Sequence, residues 1–239
     1  MQTRHLRRNG EWDSMIEQEH QPVTLSVYNE LKNKIVSLEL MPGQILMVQQ
    51  LSKDFGISRT PVREAVVRLR DDGLVEESDG RKFRVSEITW RMIDDIYETR
   101  QALEGLVVSR LAESLVPEQI ERLDSLLGQM RQAVGQGDLA RYFELDDEFH
   151  GALLRIHGNR VILSCIGRIK DQQQRIRFLT EGARDRTEES LAEHERILQC
   201  LHAHDGAGAS EQMRLHLQLA REDTKNLLMT RYPRPMVKD

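Results

Sequence analysis

Cysteine and aromatic side chains are scarce in this chain, and each scarcity narrows what it can be. Only two cysteines occur, Cys165 and Cys200, and they form no CxxC pair, which excludes a disulfide scaffold and a cysteine-based zinc site. Both lie among apolar neighbours in helical stretches, so reduced, buried thiols are expected. Aromatic residues make up 5% of the chain against 39% hydrophobic and 31% charged. That balance suits a helix-rich globular protein rather than a β-sandwich or a disordered chain. No apolar run approaches the roughly 18–20 residues that span a bilayer. The stretch Met1–Ser14 is basic and polar with no apolar core behind it, so no secretory signal is expected and the cytoplasm is the default location. Positive charge shows no excess either: 34 Lys and Arg against 39 Asp and Glu give a net charge of -5. A chain coated in nucleic acid is disfavoured, although a local basic face is enough to bind DNA.

What is present divides into two textures. The 239 residues suit two modest domains. Residues 1–23 lack periodicity and are expected to form a flexible arm, with Arg4, Arg7 and Arg8 assigned no site. From Leu25, apolar residues at Leu25, Tyr28, Leu31, Ile35 and Leu38 recur at helical spacing until Pro42-Gly43 stops them. A short second helix is expected over Val48–Phe55, ending at Gly56. Ser58 then stands at an N-cap position with Pro61 in the first turn of a third helix, which should run to Asp72 and finish at Gly73. Two β-prone pieces, Leu74–Glu77 and Phe83–Val85, flank Asp79-Gly80, a dipeptide suited to a hairpin tip. Three helices and a hairpin over 24–88 make a winged helix-turn-helix. Beyond Ile88, six amphipathic helices are expected at about 90–115, 117–135, 138–157, 159–181, 187–204 and 209–230. The fold class is therefore mainly α: a winged helix-turn-helix followed by an antiparallel six-helix bundle over 90–232.

In the helix pair, Leu51, Phe55, Ile57, Val62 and Val66 are expected to point inward, leaving Ser58, Arg59, Thr60 and Arg63 at the start of the outward-facing second helix. That end of a recognition helix meets base edges and phosphates. Arginine grips guanine with two hydrogen bonds, while hydroxyls and helix-terminal N–H groups hold phosphates. Periodicity alone leaves a solvated helix pair equally open. The run Leu51–Leu74, through Ser58-Arg59-Thr60-Pro61-Val62-Arg63-Glu64-Ala65 and Asp72-Gly73-Leu74, with Pro42-Gly43 ahead of it, closely resembles the signature of the GntR family of regulators. The resemblance implies DNA binding, with Gln49, Ser58, Arg59, Thr60, Arg63 and wing Gly80 where family members touch operator DNA. At the wing tip, Arg81-Lys82 stand where many relatives carry a small residue.

In the helical part, a helix over 138–157 places Asp146 and His150 on the stripe of Tyr142, Phe149 and Leu153. Burying them is costly unless they are paired or bind something. Their i, i+4 spacing lets both side chains aim at a common atom, as metal ligation requires. His194 falls with Leu191, Leu198 and Leu201, and His216 with Met213 and Leu217, so three helices project polar groups inward. Arg100 and Glu104 interrupt the apolar stripe of helix 90–115. A buried arginine suits a carboxylate ligand, yet it can equally bridge Glu104 within its helix. Each histidine taken singly also fits an ordinary hydrogen-bonded core position. Gln172 and Gln173 fall on an apolar face too and are assigned no role.

These features, through Arg100 with Leu103-Glu104, Asp146-Asp147-Glu148-Phe149-His150, Gly158-Asn159, Glu193-His194 and His216-Leu217, resemble the FadR C-terminal (FCD) effector domain, in its shorter, VanR-like branch. The resemblance implies that Asp146, His150, His194 and His216 hold a divalent metal ion (zinc, nickel, manganese or iron), with Arg100 binding a small organic acid effector. It also implies a homodimer reading a pseudo-palindromic operator. The expected function is a ligand-responsive transcriptional regulator, a repressor rather than an enzyme. Two alternatives stay open at this point: a constitutive DNA-binding dimer with a structural metal, and a metal-dependent hydrolase or lyase with an accessory DNA module.

Overall fold

A computed structural model describes residues 9–78, 82–180, 186–231 and 237–238 of the chain. The chain divides into two compact units, residues 1–87 and 88–239, each with its own interior. In the first unit, α1 (Asn9–Val36), α2 (Val48–Asp54) and α3 (Arg59–Asp71) enclose an apolar core with a small sheet. Val27, Leu31 and Ile35 of α1 meet Val62, Val66 and Leu69 of α3, and all are buried. The helical spacing of these residues is what sorts them onto facing surfaces. Leu51, Phe55 and Ile57 pack against that core while remaining half-buried.

The turn between α2 and α3 needs a backbone that reverses within a few residues. Gly56 supplies it with φ +67°, a left-handed conformation that side chains with a Cβ adopt only at a cost. Ser58 follows in extended conformation as the N-cap of α3, although its side chain makes no capping hydrogen bond. The wing is built from β2 (Val75–Ser78) and β3 (Lys82–Val85), antiparallel with Val75 opposite Val85 and Ser78 opposite Lys82. A further short strand, β1 (Ile45–Leu46), pairs with β3 and widens the sheet to three strands in the order β1-β3-β2. Its two residues are too few to show a period, which is why the sequence gives no sign of it.

Two expectations for the N-terminal segment and the thiols need correction. The arm expected over 1–23 is helical from Asn9 onward, as the first part of α1, while residues 1–8 lie outside the described residues. The apolar face that locates the helix begins only at Leu25, and the upstream turns extend the same hydrogen-bond ladder without such a face. Cys165, expected to be buried, is exposed, and Cys200 is half-buried. Apolar neighbours in sequence placed Cys165 in a hydrophobic context, but the buried side of its helix is set by Ile162, Ile176 and Leu179 instead.

The second unit opens with β4 (Ile88–Thr89), which pairs in parallel with β5 (Val237–Lys238). Six helices follow: α4 (Trp90–Ala112), α5 (Pro117–Gln136), α6 (Leu139–His157), α7 (Arg160–Thr180), α8 (Thr187–His202) and α9 (Gly206–Arg231). Their starts are marked by local chemistry. Thr89 accepts a hydrogen bond from the Met92 N–H, and Asp138 accepts one from the Arg141 N–H, satisfying donors that the first helical turn leaves over. Pro117 opens α5, where its missing N–H costs nothing. α4 lies against α9, α8 against α9, and α5 against α6, so the faces of α4, α6, α8 and α9 share one interior. No helix among the described residues is long and apolar enough to cross a membrane.

Candidate metal centre and nucleic-acid interface

The polar stripes of α6, α8 and α9 meet in that interior. Asp146 and His150 come from consecutive turns of α6, His194 from α8 and His216 from α9, and their ligand atoms all lie within 4.8 Å of one another. The Asp146 Oδ1 is 3.3 Å from His194 Nε2 and 3.9 Å from His150 Nε2. His150 Nε2 and His194 Nε2 are 3.3 Å apart. Metal–ligand bonds of about 2.0–2.2 Å put neighbouring ligand atoms roughly 3–4 Å apart, so the donor set fits a single divalent ion.

The outward nitrogen of each ring faces an acceptor. His150 Nδ1 lies 2.5 Å from Glu104 Oε2, His194 Nδ1 lies 2.7 Å from the Ser190 carbonyl, and His216 Nδ1 lies 2.8 Å from Glu193 Oε2. An acceptor at Nδ1 fixes the proton there, leaving each Nε2 as a lone pair. Three lone pairs and a carboxylate oxygen then converge with no donor among them. A cation satisfies all four at once, whereas protonating one ring supplies one donor for the remaining acceptors. Burial, with His194 and His150 beside it, pushes His216 well below its usual 6.5 and keeps that ring neutral. Burial would raise Asp146, but the His194 and His150 rings beside it and the Arg177 guanidinium at its Oδ2 hold its carboxyl well below the usual 3.8.

A cavity of about 130 Å³ adjoins the cluster, and its wall includes Asp146, His150 and His216. Three arginines also line it: Arg100, Arg177 and Arg186. Arg100 donates from Nε to Glu104 Oε1 at 2.6 Å. Burial works against both charges, yet Arg100 and His150 outweigh it at Glu104 and lower that carboxyl from 4.5 to about 2. Glu104 in turn raises the Arg100 guanidinium above its usual value against the same penalty. Arg177 binds Asp146 Oδ2 at 3.1 Å, Asp147 Oδ1 at 2.9 Å and the Phe143 carbonyl at 3.0 Å. Arg186 pairs with Glu193. Burial raises the Glu193 carboxyl, and Arg186 offsets only part of that. Tyr142 on the same wall is 1% exposed, and burial pushes its hydroxyl up.

Sequence reasoning missed Arg177, Arg186 and Glu104's full part. Arg177 lies one turn beyond Gln173, which itself lines the cavity, so that polar interruption of α7 was the available signal. Arg186 precedes α8 outside any periodic pattern and left none. Glu104 was visible only as a partner for Arg100; its contact with His150 is between helices.

In the first unit, Gln49, Arg59, Thr60 and Arg63 line one shallow groove with Val48, Glu64 and Val67, and all four polar residues are exposed. Ser58, also exposed, immediately precedes them at the N-terminus of α3. The first turn of α3 carries no acidic side chain, so its partial positive charge faces outward undiminished. The Arg63 guanidinium stands 5.7 Å from the centre of the Phe83 ring on β3, leaning toward the wing. Lys82 is exposed at the start of β3. Gly80 and Arg81 lie outside the described residues.

Comparison with known proteins covers both units. The FCD domain family matches residues 95–219. The family of bacterial regulatory proteins, gntR family, matches residues 23–85. The chain is 31% identical over 207 residues to the HTH-type transcriptional repressor RspR of Escherichia coli K12, covering 87% of this chain and 91% of that protein. Among solved structures, E. coli McbR/YncC aligns with a TM-score of 0.67 at 26% identity, over 85% of this chain and 97% of that one. The metal-free FCD domain of TM0439 aligns with a TM-score of 0.52 at 23% identity, over 61% of this chain and 99% of that one, a likeness of fold.

Proposed function

The chain belongs to the GntR family of DNA-binding transcriptional regulators and carries its FCD effector domain, and from that premise we propose that it is a repressor released by a small organic acid. The enzyme reading is excluded by that membership. Residues 24–88 form the DNA-binding domain, with Gln49, Ser58, Arg59, Thr60, Arg63 and Gly80 meeting operator DNA. Residues 90–232 form the sensing and dimerisation domain. A homodimer would set two recognition helices against half-sites about 34–36 Å apart, as a pseudo-palindromic operator requires.

The observation that carries the sensor reading is the convergence of four acceptors, Asp146 Oδ1 and the Nε2 atoms of His150, His194 and His216, on one point beside a cavity. These four residues would hold a divalent metal ion, which would supply a Lewis-acidic centre beside the cavity. Zinc, nickel, manganese and iron all accept this mixed N/O set. Arg100 would meet the carboxylate of the effector, since its planar fork binds carboxylates with two hydrogen bonds. A cavity bordered by guanidinium groups favours the sensor over a metal with a purely structural role. Binding in the cavity moves the DNA-binding units only if the acid prefers one conformational state.

Two measurements test this reading. Operator binding by the metal-loaded protein is followed across a panel of small organic acids, and at least one acid should weaken it; an unchanged affinity across the panel counts against the switch. His194→Ala should lower metal content as read by elemental analysis, and full occupancy in that variant would remove His194 from the ligand set.

A further inference from the structure

Two of the cavity's arginines are tied to the histidine cluster by the same pattern. Arg100 lines the cavity, donates to Glu104 Oε1 at 2.6 Å, and Glu104 Oε2 faces His150 Nδ1 at 2.5 Å. Arg186 lines the cavity, pairs with Glu193 Oε1, and Glu193 Oε2 faces His216 Nδ1 at 2.8 Å. Each glutamate thus joins a cavity arginine to the outer nitrogen of a histidine in the cluster, and Glu104 Oε2 lies 3.5 Å from Arg100 Nη2 as well. Arg100, Glu104, Glu193, His150 and His216 are buried, and Arg186 is about 20% exposed, so water screens these contacts weakly. The two sets of contacts begin at different places, within α4 and just ahead of α8, and arrive at different histidines.

We infer that Glu104 and Glu193 are relay residues through which a carboxylate in the cavity sets how tightly His150 and His216 hold the metal. This rests on the reading of the cluster as a metal site. An arginine shared with a glutamate draws electron density from it, and the glutamate then accepts less strongly from the imidazole N–H. When a carboxylate ligand engages Arg100 or Arg186, the arginine–glutamate contact loosens. The glutamate then accepts more strongly from His150 or His216, and the opposite nitrogen becomes a better donor to the metal. Acid and metal therefore bind cooperatively through protein side chains, in addition to any bond between them, and linkage makes the effect reciprocal.

The relay is testable without knowing the acid, because removing the arginine imitates its capture. Zinc affinity of the full-length protein is measured by competition with a chromophoric chelator for Arg100→Gln, Glu104→Gln and the double variant. Arg100→Gln should tighten zinc severalfold. Glu104→Gln should weaken it by about 10–100-fold, the usual scale for partners of metal-ligating histidines. In the double variant the arginine change should have no further effect, leaving the affinity of Glu104→Gln alone. A structural role would make every variant weaker, and loss of a nearby charge would shift zinc equally in both backgrounds; either result overturns the relay. Arg100→Lys guards against a misfolded glutamine variant: it keeps a cationic donor for Glu104, so zinc affinity close to that of the unaltered chain supports the relay, and a shift as large as that of Arg100→Gln rejects it. The same cycle with Arg186→Gln and Glu193→Gln tests the second arm. If the unaltered chain takes up no zinc, the metal reading fails and the relay with it, whereas bound zinc with additive shifts sinks the relay alone.

Discussion

Glu104 is pulled in opposite directions by its surroundings. Burial favours its neutral form, but Arg100 and His150 within hydrogen-bond reach favour the anion and win, lowering its pKa from 4.5 to about 2. His216 is held neutral well below 6.5 by burial and by its neighbouring histidines. Both shifts make the folded, metal-free chain bind fewer protons than the unfolded one in acid, so stability falls as pH falls. His216 acts first: below pH 6.5 its unfolded form takes a proton that the folded form refuses. Glu104 adds its share below 4.5, and that share is lost progressively toward pH 2. A full proton of difference is the upper limit, roughly 1.4 kcal/mol per pH unit, so stability should be measurably lower at pH 5.0 than at pH 6.5. Urea unfolding of chelator-treated protein at those two pH values measures this, and equal stabilities would mean that His216 is not held neutral. The individual stripe positions of Asp146, His150, His194 and His216 were legible in the sequence because 3.6-residue periodicity fixes which face a side chain takes. The contact of Glu104 with His150 was not, since it joins α4 to α6 and depends on how the two helices pack.

At the scale of elements, α3 carries the residues proposed to read DNA, and Gly56 fixes how it leaves α2. Arg63→Ala should weaken specific operator binding by about 1–3 kcal/mol if the guanidinium meets a base edge, and a gel shift indistinguishable from that of the unaltered protein would take Arg63 off the interface. The glycines make a sharper comparison, because nothing lies within 4 Å of a Cβ added at Gly56 or at Gly128 in α5. Space is equal, so backbone conformation alone decides the sign. Gly56 has φ +67°, and alanine there should cost about 1–2 kcal/mol. Gly128 is exposed within a helix, and alanine there should stabilise by about 0.5–1 kcal/mol. Chemical unfolding that moves both variants in one direction would contradict this. Such turn glycines, with Pro61 and Pro117, are also why the order of helices could be read from the sequence, with most ends within a few residues of those observed. β1 and the early start of α1 escaped because a two-residue strand and a helical stretch without an apolar face leave no period to detect.

Across the whole molecule, the residues proposed to read DNA belong to one compact unit and the histidine cluster to the other, each with its own buried interior. Removing a metal from the second unit leaves the apolar core of the first untouched, because Val62, Val66, Leu69 and Phe83 are buried among residues of their own unit. Operator affinity and acid response should therefore separate. Chelator-treated protein should still bind operator, while losing stability by an amount set by mass action, about 2.7 kcal/mol relative to protein in metal at 100 times its dissociation constant. An acid that shifts operator affinity of the metal-loaded protein by a coupling in the usual range of about 5–150-fold should leave that of the chelated protein nearly unchanged. Fluorescence anisotropy with labelled operator, titrated with the acid before and after chelation, reads both quantities in one experiment. An acid response that survives complete removal of the metal would place effector recognition in the arginine-lined cavity alone and make the ion a support for the fold. A parallel loss of operator binding on chelation would instead mean that the first unit depends on the second for its own folding, against the separate cores from which this argument starts.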